Sequence, residues 1–488
     1  MMSSIHARPC FALLVVLALA LLMATPVRAE EATRTYLKVV ENNEAAPVFE
    51  RHFDTPQEAF DYAATQSSGD VHIELGTDWK TMKQNTLSSG THPHIFIDLK
   101  GHNIIRDTGG SQVRNGGLFL IEKDALLNIR DTNPQSVGYK GIRGGVITGG
   151  ANTNGGGAFT VKDGGRLEIQ GGTIYKCTTN EHGGAVHVSG KDASFTMSGG
   201  RIYFCQTIGA WGNCHGGAVY CDEADVSFND CTVDSCYSED NGGALYMAKG
   251  NAVFERVSMI GNHCLDYGGA IYMDQGSLKM YDSRIHGSEA KNDGGAIYDN
   301  TSAGMRLRGC VFYKNKSRGN GGALYVNDIS AQLIDTDVIA NSAQGYGGGV
   351  YVDSRYDIGL KGLVHIENNS GKGNRNNLTL QDGAASRAYF TNGGLYEGSR
   401  VGLSSTSRNV MYAKAISENQ KKYFFSDLGD LMLRDRTDRQ SQFVSSAFGE
   451  GAAGGVALGL GMAAIAGTVV YVLLSKRDER KKAKEGQR

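Results

Sequence analysis

Six tyrosines occupy one repeated place in this chain: Tyr220, Tyr246, Tyr272, Tyr298, Tyr325 and Tyr351, with His187 in the same place one repeat earlier. Phenol rings on a common line offer amphipathic contact area at low conformational cost, which suits recognition of sugars or protein partners rather than bond making. Bond making needs other groups. Asp222, Glu223 and Asp225 form a short acidic cluster, and Asp222, Asp274 and Asp353 share one repeat position that Ser189, Ala248, Asn300 and Asn327 interrupt. Clustered carboxylates on one face would serve a polysaccharide lyase or hydrolase, as Ca2+ ligands or as an acid and base pair. The first group lies in a turn and the second is broken, so a solvated turn is the simpler reading. His182 and His215 stand directly before a Gly-Gly step, where a turn residue fits better than a zinc ligand. The Gly pairs recur regularly and none leads into a GKS or GKT sequence, so no phosphate loop is read. The sequence therefore names no catalytic, cofactor-binding or metal-binding residue.

The elements that must hold the tyrosines repeat. A tetrad Gly-Gly-[Ala/Gly]-[Val/Ile/Leu] starts at Gly183, Gly216, Gly242, Gly268, Gly294, Gly321 and Gly347, about 26 residues apart beyond the first step. A fixed period of this size means stacked supersecondary units. Ahead of each tetrad stands a small polar or thiol residue: Cys177, Cys205, Cys236, Asn262, Ser288, Asn315 and Asn341. Cys205 lies farther from its tetrad than the others do, which places an inserted loop in a segment containing Trp211 and Cys214. Ten and eight residues before this ladder the chain is apolar, as at Val226 and Phe228 or Leu278 and Met280; the two-residue spacing marks one face of a strand. Apolar residues recur three before the ladder, as at Met259, Ile285 and Phe312, and at the end of each tetrad, as at Leu245 and Ile271. Each unit thus holds three short strands. Strands that repeat in one direction must pair parallel, and parallel crossovers are overwhelmingly right-handed. The expected fold is all-β, a right-handed parallel β-helix with three short strands per coil of about 26 residues. Strand alternation then turns the six tyrosines outward as a ligand face, unless they merely stack to support a parallel sheet or point inward in the opposite register.

With GGAVY at 216, GGALY at 242 and 321, GGAIY at 268 and 294, and Asn262, Asn315 and Asn341 before them, residues 145–380 resemble the GGA-repeat region of chlamydial polymorphic membrane proteins. The resemblance implies a surface-exposed, adhesin-like role. It stops short of their C-terminal outer-membrane β-barrel, because this chain ends differently.

The 488 residues include 67 Gly and only 6 Pro, too little Pro for collagen, and 40% are hydrophobic, enough for a core. A formal net charge of -2 argues against nucleic acid as partner. Residues 1–29 read as a signal peptide, with Arg8 ahead of an apolar run from Phe11 to Met23. Residues 30–70 read as an N-terminal cap, in which Thr55, Pro56, Gln57 and Glu58 form a capping box. The helix of coils is expected over 71–384, with regular repeats at 145–380, followed by a β-rich closing module and stalk over 385–450. Residues 451–474 carry no charge and are long enough to span a bilayer, and 475–488 form a basic tail expected on the cytoplasmic side. Gly451, Gly455, Gly459, Ala463 and Gly467 would smooth one face of that span for self-association.

All eight Cys after the signal fall between 177 and 310. Stacked ladder positions are close enough for a disulfide between Cys177 and Cys205 or between Cys205 and Cys236, while buried filler is the alternative. The acceptor pattern N-x-[ST] occurs at Asn300, Asn315, Asn368 and Asn377, with Asn300 and Asn377 the preferred glycosylation sites. Together these features predict a single-pass type I protein of the cell surface or endomembranes that binds an extracellular glycan or protein ligand. A polysaccharide-active surface enzyme on the same scaffold is the alternative.

Overall fold

The computed structural model describes residues 34–445 apart from 41–48, 67–68, 89–93, 210–212, 301–302, 328–330, 354–357, 382–387, 406–410, 415–417, 428–430 and 436–439. Within them the chain winds into a parallel β-solenoid of about 12 turns. One coil shows the plan: strands at Ile271–Met273, Ser277–Tyr281, Arg284–His286 and Glu289–Ala290. Each pairs in parallel register with its copy in the next coil, Ile271 with Ile297, Leu278 with Met305, Ile285 with Phe312 and Ala290 with Ser317. The coil therefore has four strands, where the apolar pattern reads three. The fourth is two residues long and polar or small, so hydrophobic periodicity has nothing to register.

The inward positions build one continuous core. Phe228, Phe254 and Phe312 are buried as the two- and three-residue offsets require, and Phe228 and Phe254 touch with ring centroids 5.0 Å apart. The two glycines of a tetrad do different work. Gly321 sits at φ +65°, a conformation that a Cβ-bearing residue adopts only under strain. Gly322 leaves room for its neighbour, since a Cβ there would lie 2.1 Å from the carbonyl oxygen of Gly348.

The polar ladder is buried and hydrogen-bonded along the axis. Asn262 Oδ1 accepts from the Cys236 amide at 3.0 Å, and Asn369 Oδ1 accepts from both the amide and Nδ2 of Asn341. At Cys177, Cys205 and Cys236 the structure corrects the disulfide expectation: all three are free, buried thiols. Their Sγ atoms donate to main-chain carbonyls, Cys177 to Tyr175 and Cys236 to Asp234. Burial pushes the Cys236 thiol up to about 12, so it stays protonated.

At the N-terminal end the capping box forms as read. The helix Pro56–Ala63 starts with the Thr55 side chain accepting from the Glu58 amide. Its Phe60 ring lies 5.2 Å from Trp79 and 5.7 Å from Phe119, closing apolar surface that the first coils would otherwise expose. At the other end parallel pairing continues past 384, through Leu378 with Leu403 and Leu403 with Ser426. Strands Leu431–Asp435 and Gln440–Ser445 then pair antiparallel. Among the described residues no helix is long and apolar enough to cross a membrane; the signal at 1–29, the span at 451–474 and the tail at 475–488 lie outside them.

Candidate ligand-binding face

The tetrad strand positions the tyrosines. Its last residue points inward: Val219, Leu245, Ile271, Ile297, Leu324 and Val350 are buried. Alternation then sends the next residue outward, and in-register pairing stacks Tyr220 on Tyr246, Tyr272, Tyr298, Tyr325 and Tyr351. Successive ring centroids are 5.4, 5.0, 5.2, 4.7 and 5.2 Å apart. The rings stack face to face, with interplanar angles between 2° and 27°.

That geometry changes what the ladder offers. Each ring covers its neighbour's face, so the ladder does not present flat aromatic surface. Tyr220, Tyr246, Tyr272 and Tyr298 are half-buried, but Tyr325 and Tyr351 are only 7% and 6% exposed. Of the six rings expected on the surface, four are half-buried and two are buried. The Tyr325 hydroxyl is committed to Asp353 Oδ2 at 2.7 Å.

At three tetrads an aromatic residue just before Gly-Gly packs against the row, while Asn241, Asp293 and Asn320 stand in that place at three others. The His182 ring stacks on Tyr220 and the His215 ring on Tyr246, both at 4.3 Å, while Tyr267 packs against Tyr298 at 4.8 Å. His182 and His215 are thus part of an aromatic face, with no zinc-like partner. The sequence reading places His182 and His215 together before Gly-Gly but takes that place as a turn position; Tyr267 in the same place is the signal of an aromatic contact.

The aromatic groups themselves are uncharged. Burial pushes the Tyr220 hydroxyl up to about 12, and burial with Asp274 nearby pushes Tyr246 and Tyr272 higher still. Burial also holds His182, His187 and His215 down to about 4, so all three are neutral near pH 7. Protonated phenols and neutral imidazoles can donate and accept hydrogen bonds but carry no charge to attract an ion.

Four of the five candidate carboxylates bond to neighbouring side chains, Asp353 through the Tyr325 hydroxyl. Glu223 pairs with Lys249 at 2.7 Å, and Asp225 accepts from the amide and Nδ2 of Asn251. Asp274 accepts from Asn300 Nδ2 at 3.3 Å, and Asn300 Oδ1 accepts from Asn327. Among the described residues no group of three or more His, Cys, Asp or Glu could hold a metal ion. Of the glycosylation candidates, Asn300 is half-buried on the surface beside the tyrosines. Asn377 is 1% exposed, and its amide is bound to Asn369 and Asp427 inside the polar ladder, so a glycan there is incompatible with the folded chain. Asn368, which the sequence reading did not favour, is exposed.

Residues 309–327 match the Chlamydia polymorphic membrane protein (Chlamydia_PMP) repeat. That stretch holds Asn315 of the polar ladder, the tetrad from Gly321 and the outward Tyr325. No curated protein and no solved structure matches the chain. With the same tetrad recurring in coil after coil of a parallel solenoid, the chain resembles the repeat region of the chlamydial polymorphic membrane proteins.

Proposed function

We propose that this is a cell-surface solenoid protein whose tetrad face binds an extracellular ligand in an adhesin-like way. The observation that carries the reading is the row of stacked, uncharged tyrosines, flanked by the rings of His182, His215 and Tyr267. A parallel solenoid suits such a role, since its length and stiffness hold a periodic surface away from the cell. The matched repeat supports a surface location. In this reading the signal at 1–29 directs export, the span at 451–474 anchors the protein once, and the basic 475–488 tail stays inside. The small residues from Gly451 to Gly467 then allow a second copy to approach.

The test is the double change Tyr272→Ser, Tyr298→Ser, assayed for thermal melting and for attachment to host or neighbouring cells. Lost attachment with an unchanged melt supports a binding face. Intact attachment leaves the ladder as scaffold.

A further inference from the structure

The period of this face selects among ligands, and the selection rests on the reading that the face binds. The ring centroids of Tyr220, Tyr246, Tyr272 and Tyr298 are 5.4, 5.0 and 5.2 Å apart, on hydrogen-bonded strands that follow one another every ~4.8 Å along the solenoid axis. Because their ring faces are covered by one another, a ligand meets hydroxyls rather than flat aromatic surface. Among the described residues these four hydroxyls make no hydrogen bond within the protein, unlike that of Tyr325. The face is thus a straight row of unpaired, protonated donors at one fixed interval.

The groups beside the row decide the ligand's charge. Asp222, Asp274 and Asn300 lie two residues after tyrosines of the row, and Asn241, Tyr267 and Asp293 stand just before the tetrads. Phosphate or sulfate polymers would meet carboxylates and no column of cations, which disfavours them. A peptide strand laid along the axis is out of step, because its same-face side chains recur about every 6.7 Å. An extended β-1,4-linked sugar chain advances by close to one coil spacing per residue and, because successive sugars turn over, carries equatorial hydroxyls along both of its edges. We infer that the ladder binds an uncharged, extended β-1,4-linked glycan laid along the solenoid axis, one sugar per coil. The Asp and Asn side chains accept from or donate to the hydroxyls that the tyrosines leave unmet.

The experiment uses the full chain in detergent micelles and calorimetric titration with three series of neutral oligosaccharides of two to six sugars. The series are β-1,4-linked, α-1,4-linked and β-1,3-linked. For the β-1,4 series, affinity rises with each added sugar up to at least four and then levels off, and the other series show no such rise. The triple change Tyr246→Phe, Tyr272→Phe, Tyr298→Phe keeps the ring stack and removes the hydroxyls. It weakens binding of the longest β-1,4 sugar by roughly 3- to 10-fold per hydroxyl, the factor expected for one hydrogen bond. Equal affinity across linkages, no dependence on length, or no effect of the triple change overturns the inference. If the sugars fail to bind while Tyr272→Ser, Tyr298→Ser still abolishes cell attachment, the glycan assignment falls and the binding face stands. If attachment also survives that change, both fall.

Discussion

Asn315 and Asn341 sit one above the other in adjacent coils, and a single oxygen joins them twice: Asn341 Oδ1 accepts from the Asn315 amide at 2.9 Å and from Asn315 Nδ2 at 3.0 Å. Both residues are buried. The second hydrogen of Asn315 Nδ2 goes to the Ile285 carbonyl, and Asn315 Oδ1 accepts from the Ser288 amide. The ladder thus satisfies main-chain donors at a corner where strand pairing cannot reach them.

Replacing Asn341 by Leu keeps the number of side-chain heavy atoms, adds some bulk, and strands both Asn315 donors in a dry site. At about 1–3 kcal/mol for each unsatisfied buried group, Asn341→Leu is expected to cost roughly 2–5 kcal/mol. The reverse applies at Ser288, whose buried Oγ has no hydrogen-bond partner. Ser288→Asn restores the residue type found at Asn262 and Asn315 and is expected to stabilise by about 1 kcal/mol. Urea unfolding followed by circular dichroism reads both, and a Ser288→Asn chain less stable than its parent would contradict the ladder logic.

Phe254 is fully buried against Phe228. Phe254→Ala is expected to cost about 3–5 kcal/mol, from lost transfer energy and the cavity left behind. Each coil is held mainly by its neighbours, so hydrogen exchange should rise in the coils on both sides as well as in its own. Protection lost only at the mutated coil would show that the stack does not share its stability.

Gly322→Ala drives a methyl group against the Gly348 carbonyl oxygen, a backbone atom that cannot swing aside, and about 3 kcal/mol or more should be lost. Gly373 is the control. It has φ +78° with nothing near its missing Cβ, so Gly373→Ala carries only the left-handed backbone cost of about 1–2 kcal/mol. Equal melting of the two variants would refute the close approach at the tetrad.

His182, His187 and His215 make the face sensitive to acid. Burial lowers each from 6.5 to about 4, so the unfolded chain takes up their protons first. Their contribution is fully present above pH 6.5 and is lost as pH falls toward 4. His365 works the other way. Its bonds to Asp337 and the Gly398 carbonyl raise it despite burial, giving stability at low pH that is lost as pH rises. Burial also raises Asp222 and Asp293, so they too favour the fold at low pH and lose that contribution as pH rises, opposing the histidines. The melting temperature is expected to drop between pH 6.5 and 4.5, and His187→Tyr, which continues the tyrosine column, should shrink the drop. An unchanged pH profile in that variant would exclude His187 as a source.

Topology is open to a direct assay. Protease added to intact cells is expected to remove the solenoid and spare an epitope placed on the 475–488 tail. Antibody access to that epitope without permeabilisation would reverse the orientation.

The repeat made the solenoid readable because each coil must meet a copy of itself. A tetrad every coil with apolar residues at fixed offsets leaves one way to stack, and Val219, Phe254 and Ile285 point inward as that pattern requires. The outward direction of the tyrosines follows from the same alternation. The capping box at Thr55 was legible because its bonds are local. Other features depend on where coils lie relative to each other. The two-residue fourth strand is defined by its pairing and by nothing in its polarity. Disulfide spacing alone could not show that the ladder thiols donate to nearby carbonyls, and an acceptor motif at Asn377 could not show that its amide is already bound. Side-chain alternation tells that a tyrosine points out; only the assembled stack decides that each ring hides its neighbour's face and that Asp353 takes the hydroxyl of Tyr325. Local chemistry and periodicity are written in the order of residues, whereas burial and partner choice are set by contacts between residues a coil or more apart.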